Sequence, residues 1–141
     1  MNSESLTYLF SAFSTKFRDA FEKQMAAIGL HSGQVFILLS LWENDGQSQA
    51  QLVKNLSVSA PTIYNMVIKL SSIEYLEIRK DPNDARIMRV FLTKKGREIK
   101  PLVENECKNF EDKIFGNLTE TERMMCSLLI QKLILGIKPS K

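Results

Sequence analysis

The stretch that decides the fold is residues 48–96, SQAQLVKNLSVSAPTIYNMVIKLSSIEYLEIRKDPNDARIMRVFLTKKG. Ser48 and Gln51 have the spacing of a capping box, in which each side chain bonds the other residue's backbone N–H at the start of a helix. A short turn follows, and Ser59 is a cap for a second helix. Pro61 fits the first turn of that helix, where a missing N–H costs nothing. The pattern predicts two short helices joined by a tight turn.

A β-hairpin is predicted directly after these helices. The segments Leu76–Lys80 and Ile87–Leu92 are rich in β-forming residues, and Asp81-Pro82-Asn83-Asp84 between them is typical of a turn. A helix pair followed by a basic hairpin is the arrangement of a winged helix-turn-helix. Such a fold presents one helix to a major groove of DNA and the hairpin, or wing, to a neighbouring groove.

Four longer segments with helical periodicity flank this core. Apolar residues recur every three or four positions over 6–28, and a nearly continuous apolar helix is expected at about 32–44. One long helix is expected to start at Thr93. After a break, a last helix opens with Thr119 and Glu122, a second capping box. The first and the last two helices carry more apolar surface than a small domain can bury. We therefore expect them to contact a second copy of the chain, with ordinary core packing as the alternative.

The fold class predicted is mainly α with a small β-hairpin wing: a winged helix-turn-helix core plus a dimerisation region of terminal helices. A length of 141 residues indicates one domain. Within this single domain 1–141, residues 30–96 are predicted to be the DNA-binding lobe. Residues 1–29 and 97–141 are predicted to form the helical dimerisation region.

Charge is concentrated in the predicted lobe. The formal net charge is only +3, but residues 57–97 hold eight Lys or Arg against four Asp or Glu. That segment is therefore +4 and the remainder −1. A local basic face on a nearly neutral body suits phosphate binding. A solvated charged surface without a ligand is the other interpretation.

Several function classes are disfavoured by the composition. We find no signal peptide and no apolar run long enough to span a membrane, so a cytoplasmic protein with no membrane partner is expected. One histidine and two separated cysteines do not make a nucleophilic site, and no phosphate-binding loop or metal-ligand spacing is present. We predict no enzymatic activity, no cofactor and no metal. Cys107 and Cys126 are interpreted as packed thiols, with a redox pair as the alternative.

The ordering of elements and several short motifs resemble the MarR family of bacterial transcription regulators over essentially the whole chain. The resemblance implies an obligate homodimer that binds double-stranded DNA at a pseudo-palindromic operator. It also implies repression that a small-molecule inducer or oxidation relieves. The matching residues are Leu30 and Gln34, Leu52 and Leu56, Ser59 and Thr62, Asp81-Pro82, Asp84-x-Arg86, and Leu92-Thr93-x-x-Gly96.

DNA contacts are expected from the second helix of the pair and from the wing. The Thr62 methyl group suits a thymine methyl, and Asn65 suits adenine. Arg86 resembles the wing residue that enters a minor groove in this family, with Asp84 orienting its guanidinium. Capping, surface packing and bracing of the hairpin are the alternative roles. The predicted DNA-binding residues are Ser59, Ala60, Pro61, Thr62, Tyr64, Asn65, Lys69, Arg79, Lys80, Asp84 and Arg86.

The chain departs from the family pattern at three positions. Glu74 stands where a glycine usually ends the recognition helix, so an altered turn is expected there. Ile78 replaces a usual arginine, and Ala85 a common basic residue of the wing. These departures favour an alternative function, a winged-helix dimer acting through protein contacts without sequence-specific DNA binding. Separately, His31 is a weak candidate for ligand binding, with a solvated residue at a helix start as the alternative.

Overall fold

A computed structural model describes residues 2–137, and the chain divides into two compact units, one up to Glu106 and the other from Cys107. The first residue and the last four of the predicted dimerisation region lie outside the described residues. The elements, in chain order, are α1 Leu6–Ala26, α2 Ser32–Glu43, β1 Gln47–Ser48, α3 Gln49–Leu56, α4 Ala60–Ser72, β2 Leu76–Lys80, β3 Met88–Leu92, α5 Lys94–Glu98, α6 Lys100–Ile114 and α7 Glu120–Gly136.

The three strands form an antiparallel sheet in the order β1-β3-β2. The hairpin pairs Leu76 with Leu92 and Lys80 with Met88, which confirms both predicted strands to within one residue. β1 was not predicted, since two residues are too few to show the alternation of a strand. It joins the sheet by pairing Gln47 with Val90. The buried Gln47 amide donates to the Ser40 and Asn44 carbonyls, so this polar side chain is satisfied inside the unit.

The predicted caps are present. The Gln51 N–H donates to Ser48 Oγ at 3.1 Å, and the Ser48 N–H donates to Gln51 Oε1 at 2.8 Å. Thr119 and Glu122 make the same reciprocal pair at the start of α7. Ser59 caps α4. These bonds satisfy backbone donors that a helix start leaves open, so the start of each of these helices is set locally.

The prediction of one long helix from Thr93 is wrong in one respect, because the structure has two helices there. Thr93 does cap a helix, but α5 ends at Glu98 and α6 begins at Lys100. Pro101 has no N–H to donate to the carbonyl of Arg97, and its ring would press on that carbonyl in a continuous helix. The proline is accommodated as the second residue of a new helix instead.

The core of the first unit lies where α2, α3 and α4 meet the sheet. The inward side of α4 consists of Ile63, Val67 and Leu70, which are buried, and Met66, which is half-buried. Val90 and Leu92 of β3 are also buried. This packing fixes the orientation of α4 and leaves its opposite side exposed.

The turn after α4 keeps the left-handed conformation that glycine would adopt. The prediction that Glu74 changes the geometry of this turn is therefore wrong. Glu74 has φ of 67°. The Glu74 N–H donates to the Ser71 carbonyl and the Tyr75 N–H to the Leu70 carbonyl, each at 3.0 Å. This pair of bonds is a Schellman motif, which usually places glycine at the left-handed position. The side chain of Glu74 therefore costs backbone energy.

We expect Glu74→Gly to stabilise the fold by about 0.5–1 kcal/mol, because the relief of left-handed strain exceeds the entropy cost of glycine. The measurement is thermal unfolding at fixed protein concentration. Glu74→Ala is the control, since it keeps the Cβ and removes only a carboxylate 4.0 Å from Lys95 Nζ. That carboxylate is highly exposed, so its ion pair adds little. An equal gain from Glu74→Ala would contradict the strain argument.

Candidate nucleic-acid interface

The exposed side of α4 carries most of the predicted helix contacts. Ala60, Pro61, Tyr64, Asn65 and Lys69 are all exposed. These side chains share one surface, because the positions between them are the buried ones that hold α4 on the core. The N-terminal half of such a helix is the part that meets base edges in helix-turn-helix proteins.

The first turn of α4 is organised by two hydroxyl groups. Ser59 Oγ and Thr62 Oγ1 lie 2.8 Å apart, and Ser59 Oγ also accepts a bond from the Thr62 N–H. Ser59 is therefore the cap that the sequence predicted, and Thr62 is its partner, which is the alternative role considered for Thr62. The Thr62 hydroxyl is tied to the cap, and the methyl group is the part of this side chain without a polar partner.

The tip of the wing holds Arg86 in a fixed orientation. Arg86 Nε and Nη2 donate to the two carboxylate oxygens of Asp84, each at 3.0 Å. The Arg86 N–H donates to the same carboxylate at 3.0 Å. The Arg86 side chain is nevertheless 90% exposed. Two parallel bonds give the planar guanidinium a defined direction, so Asp84 does orient Arg86 as predicted, and the arginine remains accessible to a ligand.

A second carboxylate–arginine pair braces the base of the wing, and sequence reasoning missed it. Arg89 Nε donates to Asp81 Oδ2 at 2.5 Å, and Arg89 Nη1 donates to the Gly46 carbonyl at 3.1 Å. Asp81 also accepts bonds from the Asn83 and Asp84 N–H groups in the turn. Arg89 thus ties the hairpin turn to the loop before β1. The alternation of β3 placed Arg89 on one face of the sheet, but its partners were not visible in the sequence.

Both wing carboxylates are stabilised in the charged form. The hydrogen bond from Arg89 lowers the pKa of Asp81, with a further contribution from the Asn83 N–H. The hydrogen bonds from the Arg86 side chain and N–H lower the pKa of Asp84. A lowered folded-state pKa means that these pairs contribute stability above the ordinary aspartate pKa and lose it as the pH falls. Near neutral pH, both arginines therefore keep their partners.

Arg79 and Lys80 lie on β2 below the wing tip. The Arg79 guanidinium carbon is 4.0 Å from the centre of the Phe91 ring, and Arg79 Nε is 3.3 Å from Glu77. A cation–π contact of this kind holds the guanidinium against the aromatic ring, while part of the side chain stays exposed to solvent. Lys80 is exposed at the end of the strand. Both cations therefore belong to the β2 strand of the wing.

His31 lies at the start of α2 and contacts α1. Its Nδ1 is 2.7 Å from Glu22 Oε1, and Glu22 Oε2 accepts the Ser32 N–H at 2.9 Å. Hydrogen bonds from the Ser32 hydroxyl and then the Ser32 N–H lower the pKa of Glu22, followed by the bond with His31. The His31 side chain is exposed. The contact gives His31 a structural role between two helices.

The remaining features concern the cysteines, a surface groove, metal ligands and membrane spans. Cys107 and Cys126 are half-buried thiols, neither of them in a disulfide within residues 2–137. An open groove of about 310 Å³ lies in the first unit, lined in part by Phe36, Gln47 and Asn55. The described part of the chain holds no cluster of three or more potential metal ligands. No helix within that part is long and apolar enough to cross a membrane.

The chain is similar to one known family of transcription regulators. The MarR family model matches residues 30–88, which contain α2, the helix-turn-helix and most of the wing. The chain carries a MarR-family segment over these residues. It is 29% identical over 114 residues to the HTH-type transcriptional repressor NicR of Pseudomonas putida, covering 81% of this chain and 72% of NicR. The chain is a transcriptional regulator with a MarR-type DNA-binding segment, and its relatives are regulators and not enzymes, as predicted.

Solved structures share the winged-helix fold. BpsR of Bordetella bronchiseptica, whose structure concerns regulation of DNA binding by 6-hydroxynicotinic acid, has a TM-score of 0.86 at 22% identity, covering 94% of this chain and 95% of BpsR. A mutant MarR from E. coli complexed with operator DNA has a TM-score of 0.82 at 23% identity, covering 91% of this chain and 92% of that one. The predicted fold class is confirmed by these likenesses.

Proposed function

We propose that this transcriptional regulator is a sequence-specific repressor that binds a pseudo-palindromic operator as a homodimer and responds to a small-molecule inducer. The observation that carries the DNA-binding part is Arg86, which is 90% exposed yet held by two hydrogen bonds to Asp84. The two hydrogen bonds hold the guanidinium in one direction at the tip of the hairpin and leave the side chain accessible to a ligand. A fixed guanidinium at a hairpin tip suits the narrow minor groove, whose negative potential attracts arginine.

The recognition surface combines α4 and the wing. α4 offers base-contacting side chains at its N-terminal half and Lys69 in its last turn, where a phosphate contact is expected. Arg79 and Lys80 add phosphate contacts from the β2 strand of the wing. The bound operator of the related mutant MarR from E. coli supports this mode of action for the present chain. In our proposal residues 30–96 are the DNA-binding lobe.

The terminal helices are proposed to form the dimer, with 1–29 and 97–141 as the dimerisation region. On α1, five large apolar or aromatic side chains between Leu6 and Phe13 are each more than 40% exposed. On α7, Leu128 is 60% exposed and Leu129 is 56% exposed, and five other large apolar side chains of the helix, together with Ile137 directly after it, are exposed as well. Soluble monomers rarely leave such continuous apolar surfaces in water. A twofold dimer would place two α4 helices on two half-sites, which explains the expected pseudo-palindrome.

Induction by a small molecule is proposed from the relatives. NicR is a repressor, and BpsR is the subject of regulation by 6-hydroxynicotinic acid. A small aromatic acid is therefore the first ligand class to test on this chain. The expected readout is release from the operator, because an inducer must favour the state that binds DNA less well.

We expect Arg86→Ala to weaken binding to the operator by about tenfold to a hundredfold, the usual cost of a lost groove contact. The measurement is fluorescence anisotropy with the duplex upstream of the protein's own gene, compared with a scrambled duplex of equal composition. Arg86→Lys keeps the charge but loses the two-point geometry, so an intermediate loss is expected. Lys108→Ala, which removes one charge from an exposed position on α6, is the control and should bind as the unaltered protein does.

Salt dependence separates this proposal from a protein-contact adaptor. A DNA-binding protein loses affinity steeply as salt rises, because its Lys and Arg side chains release counterions from the phosphates. Equal, weak binding of both duplexes at low salt, unaffected by Arg86→Ala, would contradict sequence-specific binding and favour the adaptor.

A further inference from the structure

The base-reading half of α4 has no cationic side chain. Between Ser59 and Ile68 there is no Lys or Arg, and the first cation along the helix is Lys69. Nine residues separate Lys69 from Ala60, which is about 13 Å along a helix axis. Arg or Lys bonded to guanine O6 and N7 is the commonest specific contact in the major groove. α4 lacks that guanine contact where it would meet the bases.

Apolar side chains and Tyr64, an aromatic residue that carries a hydroxyl, occupy the same surface instead. Tyr64 is 52% exposed and Ile68 is 42% exposed, and Ala60 and Pro61 of the first turn are exposed as well. These side chains lie outside the buried side of α4, which consists of Ile63, Val67 and Leu70. The thymine C5-methyl is the one apolar group that a base edge presents in the major groove.

The polar groups on this surface are few, and the one amide among them, that of Asn65, favours adenine. The Thr62 hydroxyl is tied to Ser59 at 2.8 Å, so its methyl is the part left for a base. Asn65 is exposed, and its amide has no hydrogen-bond partner within residues 2–137. A free Asn amide pairs with adenine through N6 and N7.

We infer that the operator core contacted by α4 is made of A·T pairs, with Asn65 bonded to an adenine and the apolar side chains packed on thymine methyl groups. This inference rests on the proposed function and adds the chemistry that the operator presents. Sequence preference would then come mainly from methyl groups and one amide, while Lys69 contributes affinity for any duplex.

The experiment is selection of bound duplexes from a random pool with the full-length protein, followed by affinity measurements on the enriched site. A·T pairs are expected at the positions contacted by α4. Replacing a contacted thymine by deoxyuridine removes only the methyl and should weaken binding about fourfold, the value of one buried methyl group. Asn65→Ala should weaken binding to the enriched site by about tenfold and relax the preference at one position. Lys69→Ala is the matched control, because it should weaken all duplexes equally.

The results that would contradict the A·T inference differ from those that would contradict DNA binding. Enrichment of G·C pairs at the α4 positions, or indifference to deoxyuridine, overturns this inference and leaves the proposed DNA-binding function intact. No enrichment of any sequence overturns the proposed function and the inference with it.

Discussion

Replacing Gly96 by alanine is expected to destabilise the fold by about 3 kcal/mol, the upper range for forcing extra atoms into a packed site. Gly96 is buried in the first turn of α5. A Cβ at this position would overlap the carbonyl oxygen of Tyr75 and lie 3.1 Å from its carbonyl carbon. That carbonyl accepts the Thr93 N–H at 3.1 Å, and the Gly96 carbonyl accepts the Trp42 indole N–H at 3.0 Å. Because hydrogen bonds hold both the Tyr75 carbonyl and the Gly96 carbonyl, the backbone resists the shift that a Cβ at residue 96 would require.

The measurement is thermal or urea unfolding at one protein concentration, since a dimer's apparent stability depends on concentration. Gly33→Ala is the matched control. A Cβ at Gly33 would meet only the end of the Met66 side chain, which is flexible and can move. Alanine also has a higher helix propensity than glycine, which offsets part of the cost of that movement at the second residue of α2. Gly33→Ala should therefore change stability little. Similar losses for both variants would show that the Gly96 contact is not special.

The second large effect is expected on α7. The double substitution Leu129→Glu and Leu133→Glu should convert the proposed dimer into monomers and weaken operator binding by about a hundredfold or more, because linked half-site binding is lost. Leu129 and Leu133 are both more than half exposed and stand one turn apart. Their replacement costs the fold of the single chain little, but it would place two carboxylates in an apolar interface.

Analytical ultracentrifugation gives the mass, anisotropy gives the affinity, and circular dichroism verifies that the helices remain. The control adds the same two charges through Ser127→Glu and Gln131→Glu, exposed polar positions one turn apart on the same helix. It should remain dimeric. A leucine variant that keeps the dimer mass would place the interface elsewhere. A monomer that binds the operator as tightly as the unaltered protein would contradict the two-lobe mode of binding.

The sequence by itself determined most of the local architecture. Ser48, Ser59, Thr93 and Thr119 start the helices that they were predicted to start. The hairpin and the inward side of α4 also follow the sequence. These features depend on residues three or four apart in a helix, or on side-chain alternation in a strand. The local sequence therefore encodes them directly. The fixed pairing of Asp84 with Arg86 belongs to this group, because its partners are two residues apart.

Only the tertiary structure decided the features whose partners are distant in sequence. Arg89 contacts the Gly46 carbonyl 43 residues away, and Trp42 contacts the Gly96 carbonyl 54 residues away. β1 exists because β3 supplies its partner, and its two residues have no pattern of their own. The reason Gly96 must be a glycine is equally distant, since the obstructing carbonyl belongs to Tyr75. Such contacts form when separate elements pack together, and no local periodicity or capping pattern encodes which backbone groups then meet.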